Sequence, residues 1–184
     1  TTLFRSGNAI LTAGQAADGL KAVVDCRIGA WTSYETAEQI ADVDLTFRPR
    51  LVKVESVATQ EAIIEWAKAT RGAGIHGRAD FWSRLSPYET KGNVHTDEYV
   101  GIRALENECA MGGWVVLIPH PKDPDCKCGL CIFVREVTQH PHGKTKDGLM
   151  AWWFCREGFD EVGAKMQVIN RHESRAGARD HRAL

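Results

Sequence analysis

The feature that most constrains this chain is a proline-punctuated stretch, His120-Pro121-Lys122-Asp123-Pro124-Asp125, running straight into Cys126-Lys127-Cys128-Gly129-Leu130-Cys131. Prolines at 119, 121 and 124 remove backbone donors and fix φ, so the stretch is a loop. Three thiols within six residues lie too close together for an ordinary disulfide framework. In a reducing compartment such spacing points to a metal ion or to redox chemistry. Zinc is the expected ion, because a borderline-soft cation without geometric preference takes thiolate and imidazole ligands tetrahedrally. Cys128-x-x-Cys131 supplies two ligands from a turn entering a helix. Any fold this chain adopts has to present that loop intact.

The 184 residues suffice for one domain with a hydrophobic core of its own. With 23 basic against 24 acidic residues, the overall balance gives no general attraction to nucleic acid or an anionic membrane, so such a partner would be engaged locally. The longest apolar runs, at 113–119 and 149–154, fall short of the roughly 20 residues a spanning helix requires. The N-terminal Thr1-Thr2-Leu3-Phe4-Arg5-Ser6 has no secretory pattern. A soluble, cytoplasmic chain is expected, with no membrane partner.

Local patterns suggest a strand at 22–26, a polar helical stretch at 33–41, and an alternating strand at 51–57. Residues 59–70 read as an amphipathic helix with Ala62, Ile63, Trp66 and Ala67 on one face. A short strand near 79–85 follows, with turns at Ser86-Pro87 and at 91–93. Thr96 is the expected N-cap of a helix carrying Tyr99, Ile102, Leu105 and Cys109, ended by Met111-Gly112-Gly113. Residues 114–118 are a strand; 130–137 fit a helix better than a strand. A buried strand is expected at 148–156, a short helix at 159–164 and a strand at 165–170. The order implies an α+β fold, a three-layer arrangement of helices packed on a mixed β-sheet in a single domain. Residues 1–50 form an N-terminal extension packed on the core, 51–170 the α/β zinc-binding core, and 171–184 a polar tail. No internal repeat, low-complexity tract or phosphate-cradling glycine motif is present.

The remaining ligands decide the chemistry. Candidates are Cys126, His120, His140, His142, Cys155 and His95. With Cys126 and His120 the site is closed and staples a loop. With His95 as third ligand a position stays open for water, and the site can be catalytic.

The series Val94-His95-Thr96-Asp97-Glu98, an apolar strand at 113–119, and Cys128-Gly129-Leu130-Cys131 resembles the zinc-dependent cytidine and deoxycytidylate deaminase superfamily. The likeness spans about residues 59–170. It implies His95, Cys128 and Cys131 on zinc, a hydroxide attacking an amino-bearing ring carbon, and an acid, Asp97 or Glu98, moving the protons. The family places glutamate two residues after the histidine, where this chain has Asp97 with Glu98 following. A small-molecule or nucleotide substrate would follow. The competing reading is a non-catalytic binding or assembly protein with a structural zinc.

A third chemistry pairs Cys26, as the nucleophile of a cysteine hydrolase, with His76 as base. Against it stands the tendency of free cysteine to be a small buried apolar residue. Trp152, Trp153 and Phe154 could stack on bases, although their continuous apolar run reads better as core. Arg171, Arg175, Arg179 and Arg182 recur at helical intervals and could meet phosphate, with Glu173 and Asp180 diluting the charge.

Overall fold

The computed structural model describes residues 7–55, 84–88, 101–120, 123, 125–143 and 145–180, with backbone alone from 164 onward. The chain enters on β1 (Asn8–Gln15) and returns antiparallel on β2 (Lys21–Gly29). Between them Gly19 at φ 91° donates to the Ala16 carbonyl at 3.0 Å, a left-handed position that suits glycine. The expected strand at 22–26 is thus the middle of a longer one.

Helix α1 (Ser33–Phe47) extends past the expected 33–41. Thr32 and Glu35 form a reciprocal capping box, which satisfies backbone donors the first turn leaves open. Arg48 at φ 51° ends it. Strand β3 (Val52–Glu55) pairs in parallel with β4 (Leu85–Tyr88). The Ser86-Pro87 turn expected from sequence is corrected here: Pro87 sits within β4, opposite Val54. Proline is tolerated at a strand edge, where its missing N–H breaks no ladder.

Helix α2 (Ile102–Ala110) takes Gly101, not Thr96, as its N-cap and ends ahead of Gly112. It leads to β5 (Trp114–Val116), which pairs in parallel with β2 and completes a sheet of order β1-β2-β5. Residues 8–29 therefore supply two of the three strands of this sheet. Helix α3 (Gly129–Gln139) follows the cysteine loop, as expected. Helix α4 (Asp147–Asp180) closes the described chain.

The strands expected at 148–156 and 165–170 are corrected together, because α4 runs through both as one backbone helix and continues to Asp180. Its apolar run misleads because the helix is covered on two sides. Leu149 and Trp152 join the main core, while Trp153 and Phe154 pack with Met150 and Tyr88 in another. A helix buried all round shows no polar face to betray its period.

Neighbouring residues on β1 show the layers, since successive strand side chains point to opposite faces. Leu11 joins Val23, Ile102, Leu105, Phe133, Leu149 and Trp152 under α2, α3 and α4. Ile10 packs with Ala37, Ile40, Val54 and Leu85 of α1 and the small sheet. The fold is the expected α+β domain, helices against a mixed sheet. Trp152 stands edge-on to both Trp114 and Phe133 at 5.3 Å between ring centroids. Each fully buried ring of this size contributes about 1.5–3 kcal/mol relative to exposure. Among the described residues no helix is long and apolar enough to cross a membrane.

Candidate metal centre

Between β5 and α3 the described residues make short-range backbone bonds. Asp123 N–H donates to the His120 carbonyl at 3.2 Å and Cys126 N–H to the Asp123 carbonyl at 3.3 Å, while Asp125 N–H reaches the Asp123 carboxylate at 3.1 Å. These turns fold the loop back so that His120 returns to the start of α3. The ligand-type atoms of His120, Cys126, Cys128 and Cys131 all lie within 4.8 Å of one another. His120 Nδ1 is 3.2 Å from Cys126 Sγ and 3.6 Å from Cys128 Sγ. A zinc tetrahedron with Zn–S of about 2.3 Å and Zn–N of about 2.0 Å has edges of roughly 3.5–3.8 Å, close to these separations. The set could hold a metal ion.

Local structure accounts for the placement. Cys128 is the N-cap of α3 and Cys131 sits in its first turn, so the two-residue gap turns both sulfurs to one side. The amide of Cys131 is the largest influence drawing the Cys128 thiol down to about 6, against some desolvation; His120, Cys131 and Cys126 add to it. Cys131, which is buried, goes the other way, to about 11, through desolvation and then its hydrogen bonds with Cys128 and Cys126. Crowded thiols cannot all ionise without a cation among them. A divalent metal supplies that charge and takes them as thiolates.

Gly129 fixes the cluster to the sheet. A Cβ built there would lie 1.8 Å from the Cys26 carbonyl oxygen and 3.1 Å from Arg27 Cα, so the first turn of α3 rests directly on the β2 backbone. Only glycine allows that approach. The sequence shows Gly129 plainly but gives no sign that β2 lies against it.

None of the other candidates among the described residues joins the cluster. His95, Asp97 and Glu98 lie outside the described residues, as do His76 and residues 59–70. His140 bonds Glu106 at 3.1 Å through Nδ1, and neither it nor His142 belongs to the cluster. Cys155, in the third turn of α4, donates to the Leu11 carbonyl at 3.3 Å; burial pushes it up to about 12. The nucleophile reading of Cys26 is corrected. Its side chain is buried at 4% exposure, and burial, with nearby Asp25 and Glu136, pushes the thiol up to about 12. Such a thiol neither ionises near neutral pH nor meets a substrate. Trp152, Trp153 and Phe154 are buried as well, which makes them core rather than a stacking platform.

No protein-family model, curated protein or solved structure matches this chain.

Proposed function

We propose that this chain is a non-catalytic binding or assembly module whose β5–α3 loop is stapled by a structural zinc ion held by His120, Cys126, Cys128 and Cys131. The observation that carries the reading is the mutual proximity of four zinc-type donors from one twelve-residue stretch. Four protein ligands fill a tetrahedron, and structural sites are closed in this way, whereas catalytic sites keep one position for water. Three thiolates and an imidazole favour zinc over hard cations such as magnesium or calcium, which take oxygen. Nothing about the set calls on His95, the ligand that hydrolytic deamination would require.

The test is metal content. Wild-type chain purified without added chelator should carry about one zinc per molecule. Cobalt in its place should give the thiolate charge-transfer absorption of a sulfur-rich tetrahedral site. Cys126→Ser and His120→Ala should each lower metal affinity by at least tenfold, with His95→Ala indistinguishable from wild type. Loss of zinc in His95→Ala with retention in His120→Ala would restore the three-ligand deaminase arrangement. A wild-type chain that takes up no zinc would remove both readings.

A further inference from the structure

Helix α4 is continuous from Asp147 to Asp180, and its last five turns carry a charge pattern that the metal centre does not use. Between residues 164 and 180 the sequence has Lys165, Arg171, Arg175 and Arg179 against Glu173 and Asp180, a local excess of positive charge in a chain whose overall charge is −1. The helical backbone decides how those residues are arranged. With about 100° between successive residues, Arg171, Arg175 and Arg179 lie at about 0°, 40° and 80° around the axis, and His172 and Lys165 follow near 100° and 120°. Glu173 and Asp180 lie near 200° and 180°. All the basic positions thus share one third of the circumference, and both acids occupy the opposite side.

The same basic sector changes character towards the core. One to three turns earlier it carries Glu157 and Glu161, and these are already paired with Arg156 at 2.9 Å and Lys53 at 3.1 Å. Beyond Gly163 the same sector carries no acid of its own as far as Asp180. Arginines near a helix C-terminus also complement the helix dipole. That explains the sign of the charge but not its confinement to one sector, because the dipole acts along the axis. Segregation around the axis is what a polyanion lying along the helix would use.

We infer that the C-terminal half of α4 is a nucleic-acid contact: Arg171, Arg175 and Arg179 form one helical face that meets the phosphate backbone of duplex DNA without regard to sequence. The three arginines are spaced by four residues, so their Cα atoms advance by about 6 Å per step along the axis. A helix with side chains is about 10–12 Å across, comparable to the roughly 12 Å width of the B-form major groove. Arginine suits the task because its planar fork gives two parallel hydrogen bonds to a phosphate. The contact requires no zinc, so its fate is separate from that of the metal reading.

The experiment titrates the full, zinc-loaded chain into a short fluorescent duplex DNA of arbitrary sequence at several salt concentrations. Wild type should bind with an affinity that falls as salt rises. In the Arg171→Gln/Arg175→Gln/Arg179→Gln variant the slope of log K against log salt should shrink by roughly 2.7, about 0.9 for each phosphate no longer neutralised. Between about 50 and 200 mM salt this is roughly a 40-fold smaller loss of affinity than wild type shows. Circular dichroism checks that the triple variant keeps its helix. Should it not, Arg175→Gln alone carries the test, with a slope change of about 0.9.

The matching variant on the opposite side, Glu173→Gln/Asp180→Asn, should leave the slope unchanged. Absence of duplex binding at low salt would overturn the inference, and so would an equal slope change in the Glu173/Asp180 variant, which would show net charge at work rather than a face. Arginine-dependent binding to phosphatidylserine-containing vesicles in the absence of duplex binding would equally overturn it, in favour of an anionic membrane surface.

Discussion

At the scale of single residues, Gly129 joins fold and site most directly. The space a Cβ would need there is already held by the carbonyl of Cys26 and the Cα of Arg27, backbone atoms that cannot rotate away. Gly129→Ala must therefore push α3 off β2 and disturb the two cysteines that flank it. Overpacking usually costs about 1–3 kcal/mol; a clash with main chain places this one at about 3 kcal/mol or more. The expected result is a large fall in the urea midpoint together with weaker zinc binding. Gly163→Ala is the opposite case, since on α4 a Cβ at that position would meet nothing within 4 Å. There the reduced freedom of the unfolded chain should stabilise by about 0.4–1 kcal/mol. Equal effects of the two substitutions would contradict the described approach of α3 to β2.

Among the elements, α4 depends on a carboxylate supplied by α3. Glu136 is buried at 5% exposure; its Oε2 accepts the Gly148 N–H at 2.8 Å and its Oε1 the Thr145 hydroxyl at 2.5 Å. The first turn of a helix leaves backbone donors unpaired, and the Glu136 carboxyl supplies one of them with an acceptor. Glu136→Ala leaves the buried Gly148 N–H without its partner, while the exposed Thr145 hydroxyl can turn to water. A loss of about 1–3 kcal/mol in unfolding free energy is expected, the usual cost of one buried group left unsatisfied. Thr145→Val, which removes one bond only, should cost about 1 kcal/mol. If Glu136→Ala proved as stable as wild type, the start of α4 would have to be held by something else. The capping box of α1 is the contrasting case: Thr32 and Glu35 are three residues apart, and so visible in the sequence, whereas Glu136 and Gly148 belong to different helices.

Across the whole molecule, Glu108 ties together four elements. From α2 its carboxylate accepts Lys21 of β2 at 2.7 Å, the Trp114 indole N–H of β5 at 2.9 Å and Arg156 of α4 at 2.6 Å. Burial by itself would raise its pKa, but the three hydrogen bonds and the Lys21 charge outweigh burial and hold the group below its ordinary value. A carboxyl lowered in the folded state binds its proton more readily in the unfolded chain. Its contribution is complete above the unfolded value of about 4.3 and is lost as pH falls through the lower folded value. Unfolding free energy measured from pH 7 down to pH 3 should therefore drop in wild type. In Glu108→Gln, less stable at neutral pH, the drop should be smaller. Parallel acid limbs for the two chains would place the acid sensitivity elsewhere.

Features that depend on neighbours along the chain are legible in the residues alone. All four donors of the metal centre fall within twelve residues, so a loop and one helical turn suffice to bring them together, and His120 and Cys126 could be named beside Cys128 and Cys131 without knowledge of the fold. The strand around Val23, the start of α1, β5 and α3 were legible for the same reason, since each has a local period or a local stop. Tertiary structure decided the rest. Residues 148–156 read as a strand because two clusters cover adjoining sides of α4, which removes the polar face that a periodicity argument needs. Pro87 could enter a strand because β4 offered it a position that tolerates a missing N–H. Cys26 is inert because the packing over β2 removes it from water. In each case the deciding contact joins residues far apart in sequence, where composition and spacing carry no information.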